Sequence, residues 1–360
     1  MKLMEGYKMS NYLEISSKRI GVDEPCFIIA EIAQAHDGSL GIAHSYIDAV
    51  AEAGADAIKF QTHIAAAESS LDEPFRVKFS YEDATRYDYW KRMEFTEDQW
   101  SGLSKHCEDV GLVFLSSPFS VEAVDLLEKT NMPAWKVGSG EVNNPVILDA
   151  MVATGKPILL SSGMSNWDEI DRSVNKIKKT ETSLAILQCT SKYPTQFIDV
   201  GLNVIEEMRN KYDVPVGLSD HSGSIFPALA AIASRTNLIE IHIVFDRNMF
   251  GPDSKASITL EQLKDLVDFR NSFYVMNQNP VDKDKMAENL SEMRNLFNKS
   301  VVLSKAIQKG GVITRDVLTV KKPGTGLRAE RIEECVGKRA KQDLSKDHVL
   351  RWEDLEDNYE

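Results

Sequence analysis

The chain has 360 residues, 42% of them hydrophobic, which suits one barrel-sized domain plus a smaller one, or two medium domains. Its 42 Lys+Arg against 55 Asp+Glu leave a formal net charge of -13, so binding to nucleic acid or an anionic membrane through the bulk field is not expected. Four cysteines (Cys26, Cys107, Cys189, Cys335) lack C-x-x-C spacing, no apolar run approaches the ~18 residues of a membrane span, and the first residues carry no signal-like core, so a reduced, cytoplasmic protein is expected.

In chain order, short aliphatic runs alternate with amphipathic stretches. Strands are predicted at 26–31, 56–61, 112–116, 134–138, 157–161, 184–189, 214–219 and 238–243, and helices at 43–53, 97–110, 121–129, 167–179, 202–212, 226–235 and 260–273. Continuous apolar strands between helices indicate a parallel sheet, and eight such units over this length indicate an α/β fold of the (β/α)8 TIM-barrel kind. An open doubly wound sheet is the competing architecture, but no G-x-G-x-x-G follows the first strand. The long polar and aromatic connection 62–96 reads as a cover over the barrel mouth. The expected division is a catalytic barrel over 1–275, a charged linker over 276–299, and a small β-rich domain over 300–360 with paired glycines and tight turns. The last piece is near the lower size limit for an independent core and should dock on a partner. Within it, the charge-rich stretch 343–357 reads as solvated surface, and His348 is given no role.

Strand ends of a barrel face one common site. Here they carry Glu31, Gln34, His36 and Asp37; Lys59 and Gln61; Ser116, Ser117 and Phe119; Lys136, Ser139 and Glu141; Ser161, Ser162 and Gly163; Gln188, Thr190, Ser191 and Tyr193; Ser219, Asp220 and His221; and Glu240 and His242. Two lysines with hydroxyls and glycine turns suit a phosphate or carboxylate. Any single Ser-Gly pair is an ordinary turn, but the repetition at one end is not. His221 and His242 can converge on one metal ion, or each can be a hydrogen-bonded buried histidine. A salt bridge between neighbouring strands is the structural alternative for Glu31 and Lys59. Trp135, Phe119 and Met164 are expected to pack rather than to contact a ligand.

The ordered strings F-I-I-A-E-I-A-Q-A-H-D-G, A-G-A-D-A-I-K-F-Q-T, F-L-S-S-P-F-S, W-K-V-G-S-G-E, L-S-S-G-M-S, L-Q-C-T-S-K-Y-P-T, G-L-S-D-H-S-G and E-I-H-I-V-F-D-R-N-M-F-G-P-D resemble the sialic acid synthase family, and V-L-T-V-K-K-P-G-T-G resembles its antifreeze-like (SAF) domain. The resemblance implies condensation of phosphoenolpyruvate with an N-acylated hexosamine to a nonulosonic acid, in a metal-dependent homodimer whose small domain closes the partner's barrel. By motif position it implies that His221 and His242 hold Mn²⁺ or Mg²⁺. It likewise implies that Lys59, Ser117, Lys136, Ser139, Ser161, Ser191 and Ser219 surround phosphoenolpyruvate. Gln61, Tyr193, Glu240 and Asp253 would grip the sugar, with Glu31 and Glu141 near the reacting centre.

Three departures bear on which sugar is used. The first loop reads A-Q-A-H-D-G where the family shows Asn-His-Asn-Gly, Ile241 stands where many members carry lysine, and Lys322 stands where an arginine commonly reaches the sugar's acyl group. Lysine lacks the bidentate fork, and Arg328 is the available substitute. Other readings of the residues are an octulosonate-phosphate type synthase using Arg76 and Arg86 for a second phosphate, a Schiff-base aldolase on Lys136 or Lys59, and a non-enzymatic sugar-binding protein.

Overall fold

The computed structural model describes residues 12–357, which fall into two compact units divided between Gln278 and Asn279. The first unit opens with a hairpin, β1 (Leu13–Ile15) and β2 (Lys18–Ile20). Eight parallel strands follow: β3 (Phe27–Ala33), β4 (Ala57–Thr62), β5 (Val113–Pro118), β6 (Trp135–Val137), β7 (Ile158–Ser161), β8 (Leu184–Cys189), β9 (Val216–Asp220) and β10 (Leu238–Val244). They pair in the order β5-β4-β3-β10-β9-β8-β7-β6, with a short β11 (Ile258–Thr259) beside β10. The sheet is therefore a nearly closed parallel barrel wrapped by helices, as the strand count predicts. At the β5/β6 seam the backbone N–H of Ser116 donates to the thioether of Met132, 3.1 Å away.

Alternation within each strand divides the apolar residues between two cores. Phe27, Ile29, Ala57, Val113, Leu115, Ala134, Leu159, Ala185, Leu187 and Leu238 point inward and form one cluster with Leu13, Ile15 and Ile20 of the hairpin, which plugs the N-terminal end. The opposite parity packs outward against the helices, with Ile28, Ile58, Phe114, Trp135, Ile186 and Ile239 at its centre. Trp135 is fully buried there, its indole N–H donating to Thr154 Oγ1 at 2.7 Å. Gly217 is needed inside β9, because a Cβ there would stand 2.6 Å from the carbonyl oxygen of Leu238.

Helices begin where capping chemistry allows. Ser39 caps α1 (Leu40–Ala53), and α1 ends at Gly54, whose φ of 81° needs no Cβ. After β4 come α2 (Ala65–Glu68) and α3 (Arg86–Met93), within the connection expected to be a cover. Capping boxes at Thr96 and Asn166 start α4 (Glu97–Asp109) and α7 (Trp167–Lys178), and α5 (Val121–Glu128) starts at Ser120. A helix over Pro145–Ala153, α6, was not anticipated from the sequence. Then α8 (Leu202–Tyr212), α9 (Phe226–Ala233) and α10 (Leu260–Gln278) complete the wall. On α10, Arg270 donates to Asp56 at 2.6 Å and to the carbonyl of Cys26 at 2.8 Å, clasping the last helix to the first two barrel strands.

The second unit holds two short helices, α11 (Lys283–Asn289) and α12 (Ser291–Phe297), within the stretch expected as linker. An antiparallel pair follows, β12 (Ser300–Leu303) with β13 (Leu318–Lys321). Its core gathers Val301, Leu303, Ile313, Leu318, Leu327, Cys335, Ala340, Leu344, Leu350 and Leu355. The stretch 343–357 is thus not merely solvated surface: Leu344, Leu350 and Leu355 are core, and buried Asp354 accepts from His348 Nε2 at 2.9 Å. Among the described residues no helix is long and apolar enough to cross a membrane.

Candidate active site

Continuing the inward parity past the apolar layers gives the site. After Ile29 comes Glu31; after Ala57, Lys59, Gln61 and His63; after Leu115, Ser117; after Ala134, Lys136; after Leu159, Ser161; after Leu187, Cys189; after Gly217, Ser219 and His221; after Leu238, Glu240 and His242. All of them line one cavity of about 440 Å³ at the C-terminal end of the barrel.

Its floor is a charge network. Lys59 Nζ stands 2.7 Å from Glu31 and 3.7 Å from Glu240, and donates to Ser117 Oγ at 3.2 Å. Lys136 Nζ stands 3.3 Å from Glu240 and donates to Ser161 Oγ at 2.7 Å, while Ser219 Oγ donates to Glu240 at 3.1 Å. Burial pushes the Glu31 carboxyl up to about 7, against the pull of Lys59. Burial acts on Glu240 too, but Lys136 and Lys59 outweigh it and hold that carboxyl below its ordinary value. Burial also works to lower Lys59, yet Glu240 and Glu31 keep it raised; Lys136, where burial prevails, is lowered. Salt bridging between β3 and β4 is therefore real, and it lies inside the cavity rather than on the outer wall.

Above the floor, the His221 and His242 rings have centroids 5.0 Å apart, with Tyr193 at 4.2 Å from the first and edge-on to the second at 5.8 Å. His221 Nδ1 faces the carbonyl of Thr190 at 3.1 Å. Donating there commits that nitrogen and leaves Nε2 as the lone pair. Around Gly163 the hydroxyls of Ser191 and Ser139 converge: a Cβ would lie 2.4 Å and 2.6 Å from them. The Gly163 N–H donates to Ser139 Oγ at 3.1 Å, so glycine here opens a small hydroxyl-lined cradle. Gln61 Nε2 donates to Glu31 Oε1 at 3.0 Å, and Glu141 accepts from Asn144 at 2.7 Å with its carboxyl raised by burial. At the mouth, Arg76 donates to Asp253 at 2.6 Å and lies 4.2 Å over the Tyr193 ring.

Not every strand-end residue belongs to the site. Ser116, Ser162, Gln188 and Asp220 have outward parity and are absorbed by Thr62 Oγ1, the carbonyls of Leu187 and Val200, and Ser222 respectively. His36 is fully buried beside Phe95, and Asp37 pairs with Arg92. Conversely, Phe119 and Met164, expected to pack, line the cavity. The connection expected as a cover does bring Phe75, Phe79, Tyr89 and Trp90 to the cavity wall, whereas nothing in the sequence reading points to Cys189, His63 or Glu68. The parity count finds Cys189 and His63; Glu68 is found only in three dimensions. Lys322 and Arg328 belong to the second unit, where Lys322 lies 5.0 Å over the Phe297 ring and Arg328 stands 3.7 Å from Glu330.

Comparison with known proteins matches the same organisation. The NeuB family model covers residues 46–280, and the SAF domain model covers 298–356. The N-acetylneuraminate-9-phosphate synthase of Homo sapiens is 34% identical, over 94% of this chain and 95% of that protein. The N,N'-diacetyllegionaminic acid synthase of Campylobacter jejuni is 32% identical, over 90% of this chain and 98% of that protein. The crystal structure of an N-acetylneuraminic acid (sialic acid) synthetase from Leptospira borgpetersenii in complex with citrate superposes with a TM-score of 0.70 at 29% identity, covering 81% of this chain and 98% of that one. With a parallel barrel carrying this polar interior layer, followed in sequence by a SAF domain, the chain belongs to the NeuB family of nonulosonic acid synthases.

Proposed function

We propose that the chain joins phosphoenolpyruvate to the open-chain aldehyde of an N-acylated, mannosamine-type hexosamine, giving a nonulosonic acid and phosphate. One observation carries the reading: two buried lysines, two buried carboxylates and two imidazoles share the inward parity and line one cavity. Carbon 3 of phosphoenolpyruvate forms the new bond to the aldehyde carbon, water adds at carbon 2, and phosphate leaves with the oxygen it carried. Lys59 and Lys136 offset the substrate's charge in an otherwise acidic protein. Ser117, Ser139, Ser161, Ser191 and Ser219 supply hydroxyls around it, with the Gly163 cradle as the phosphate's place. Gln61, Tyr193, Glu240 and Asp253 hold the sugar. Glu31, poised near neutrality, can pass a proton to or from the reacting centre, with Glu141 as the second carboxyl there.

His221 and His242 would hold the divalent cation, Mn²⁺ or Mg²⁺. The fit rests on the close rings and on the Thr190 carbonyl, which orients one of them. Among the described residues no group of three or more His, Cys, Asp or Glu is placed to hold a metal ion, so the two imidazoles are the protein ligands this reading assigns. Such an ion supplies Lewis acidity toward a carbonyl oxygen.

The sugar in this reading is unphosphorylated. Arg76 pairs with Asp253 at 2.6 Å and Arg86 with Glu73 at 3.2 Å, so a second phosphate would have to draw either arginine from its carboxylate. The enzyme is further read as a cytoplasmic homodimer in which the SAF domain of one subunit, through Lys322 or Arg328, completes the sugar site of the other. Phosphate release should be measured with a panel of N-acylated mannosamines and their 6-phosphates, with Mn²⁺ and with EDTA. Metal-dependent release with the free sugars is expected; none with any sugar would refute the reading.

A further inference from the structure

A histidine outside the roles above is built into the cavity wall with unusual constraint. The His63 ring lies between the indole of Trp90, with centroids 3.7 Å apart and planes 12° apart, and the ring of Phe119, at 4.4 Å and 5°. Its edges are held as firmly as its faces. Nδ1 is 2.5 Å from Glu68 Oε1, and Nε2 is 3.4 Å from Gln61 Oε1, so each ring nitrogen faces an oxygen and the ring donates on both edges as the doubly protonated form, with the Glu68 carboxylate as its counter-ion. Among the described residues the other carboxylate oxygen of Glu68, buried, has no hydrogen-bond partner, so His63 is what that carboxylate serves.

Gln61 then has one orientation. Its amide nitrogen donates to Glu31, which accepts at 3.0 Å, and its carbonyl oxygen therefore faces His63. An amide that met no donor on that side could flip, turning its NH₂ away from Glu31. A run of contacts thus leads from Glu68 through His63 and Gln61 to Glu31 and Lys59, from the cover to the floor of the cavity.

We propose that the Glu68–His63 pair is a positioning device: stacked and buttressed, His63 fixes the carboxamide of Gln61 so that it presents one hydrogen-bonding face to the sugar and the other to Glu31. His63 acts through Gln61 and is not itself a group that reacts. This rests on the reading of Gln61 as a sugar-binding residue.

Two measurements test it, one needing no turnover. In protein labelled with ¹⁵N-glutamine, the side-chain NH₂ of Gln61 is assigned by its disappearance in Gln61→Ala. It should be shifted and protected from solvent exchange in the wild type, and solvent-like in His63→Phe, which keeps the aromatic stack but has no ring nitrogen. Glu68→Ala, which leaves the stack untouched, should give the same result should His63→Phe fold poorly. In kinetics, His63→Phe should raise the sugar KM about tenfold, the worth of one hydrogen bond, with the phosphoenolpyruvate KM unchanged. Added to Gln61→Ala, it should cost nothing further, the signature of residues acting as a unit. An unaltered Gln61 amide in both variants, or losses that add in the double variant, would overturn the proposal. Should the wild type release no phosphate with any sugar, the functional reading falls, while the NMR comparison still decides what His63 does.

Discussion

Lys136→Met isolates the electrostatics of the floor. Lys136 is 2% exposed and stands 3.3 Å from Glu240. At an effective dielectric near 20, a phosphate or carboxylate oxygen about 4 Å from the ammonium gains about 4 kcal/mol, an upper bound of about a thousandfold, since Glu240 repels the anion equally with and without Lys136. A charge-assisted hydrogen bond, worth about 1.5–3 kcal/mol, sets the expected loss at about 10- to 100-fold. Methionine fills a similar volume, but it takes from buried Glu240 one of its two ammonium partners and leaves Lys59 at 3.7 Å and Ser219 at 3.1 Å, so the variant should fold with reduced stability. The assay is phosphate release against phosphoenolpyruvate concentration, with urea unfolding in parallel. The expected result is kcat/KM for phosphoenolpyruvate reduced about 10- to 100-fold, with a lowered urea midpoint in a protein still folded without urea. A folded variant with kcat/KM within a factor of about three of wild type would show that Lys136 does not meet the anion.

Three further outcomes follow from the same geometry. Glu31, raised by burial to about 7, keeps in the folded state a proton that the unfolded chain has released, so its contribution should erode stability as pH rises from about 4.3 to about 7. Its ionisation above that range adds negative charge beside Lys59, so the phosphoenolpyruvate KM should climb above neutrality and Glu31→Gln should flatten the rise; a wild-type profile with no such climb contradicts the assignment. His221→Ala and His242→Ala should each abolish bound Mn²⁺, read by equilibrium dialysis, and activity, while circular dichroism stays native; full turnover in either removes that histidine as a ligand. Gly163→Ala puts a methyl 2.4 Å from Ser191 Oγ and 2.6 Å from Ser139 Oγ, so it should weaken phosphoenolpyruvate binding about tenfold with sugar KM unaffected, and an unchanged binding isotherm would disprove the cradle.

Much of the architecture could be read from residue order alone. Apolar runs such as C-F-I-I-A-E and L-I-E-I-H-I, spaced by amphipathic stretches, correspond to β3 and β10, because strands buried on both faces must be continuously apolar. Helix α6 escaped notice because V-I-L-D-A-M-V-A has only one polar residue to reveal a period. Collecting strand ends gathered the residues of one cavity but mixed the two faces of the sheet: Ser117 and Ser161 are inside, Ser116 and Ser162 outside, and only the count of two from the apolar layers separates them.

What the sequence determined by itself is the set of groups that can meet: period-two alternation commits Glu31, Lys59, Lys136, Glu240 and the two histidines to one side of one sheet. Tertiary structure decided how they meet. Barrel curvature set Lys59 between two carboxylates and left one of them raised, and the folding back of 63–96 placed Trp90 and Glu68 around His63. Contacts between residues far apart in the chain depend on strand order, tilt and loop path, which no local pattern encodes.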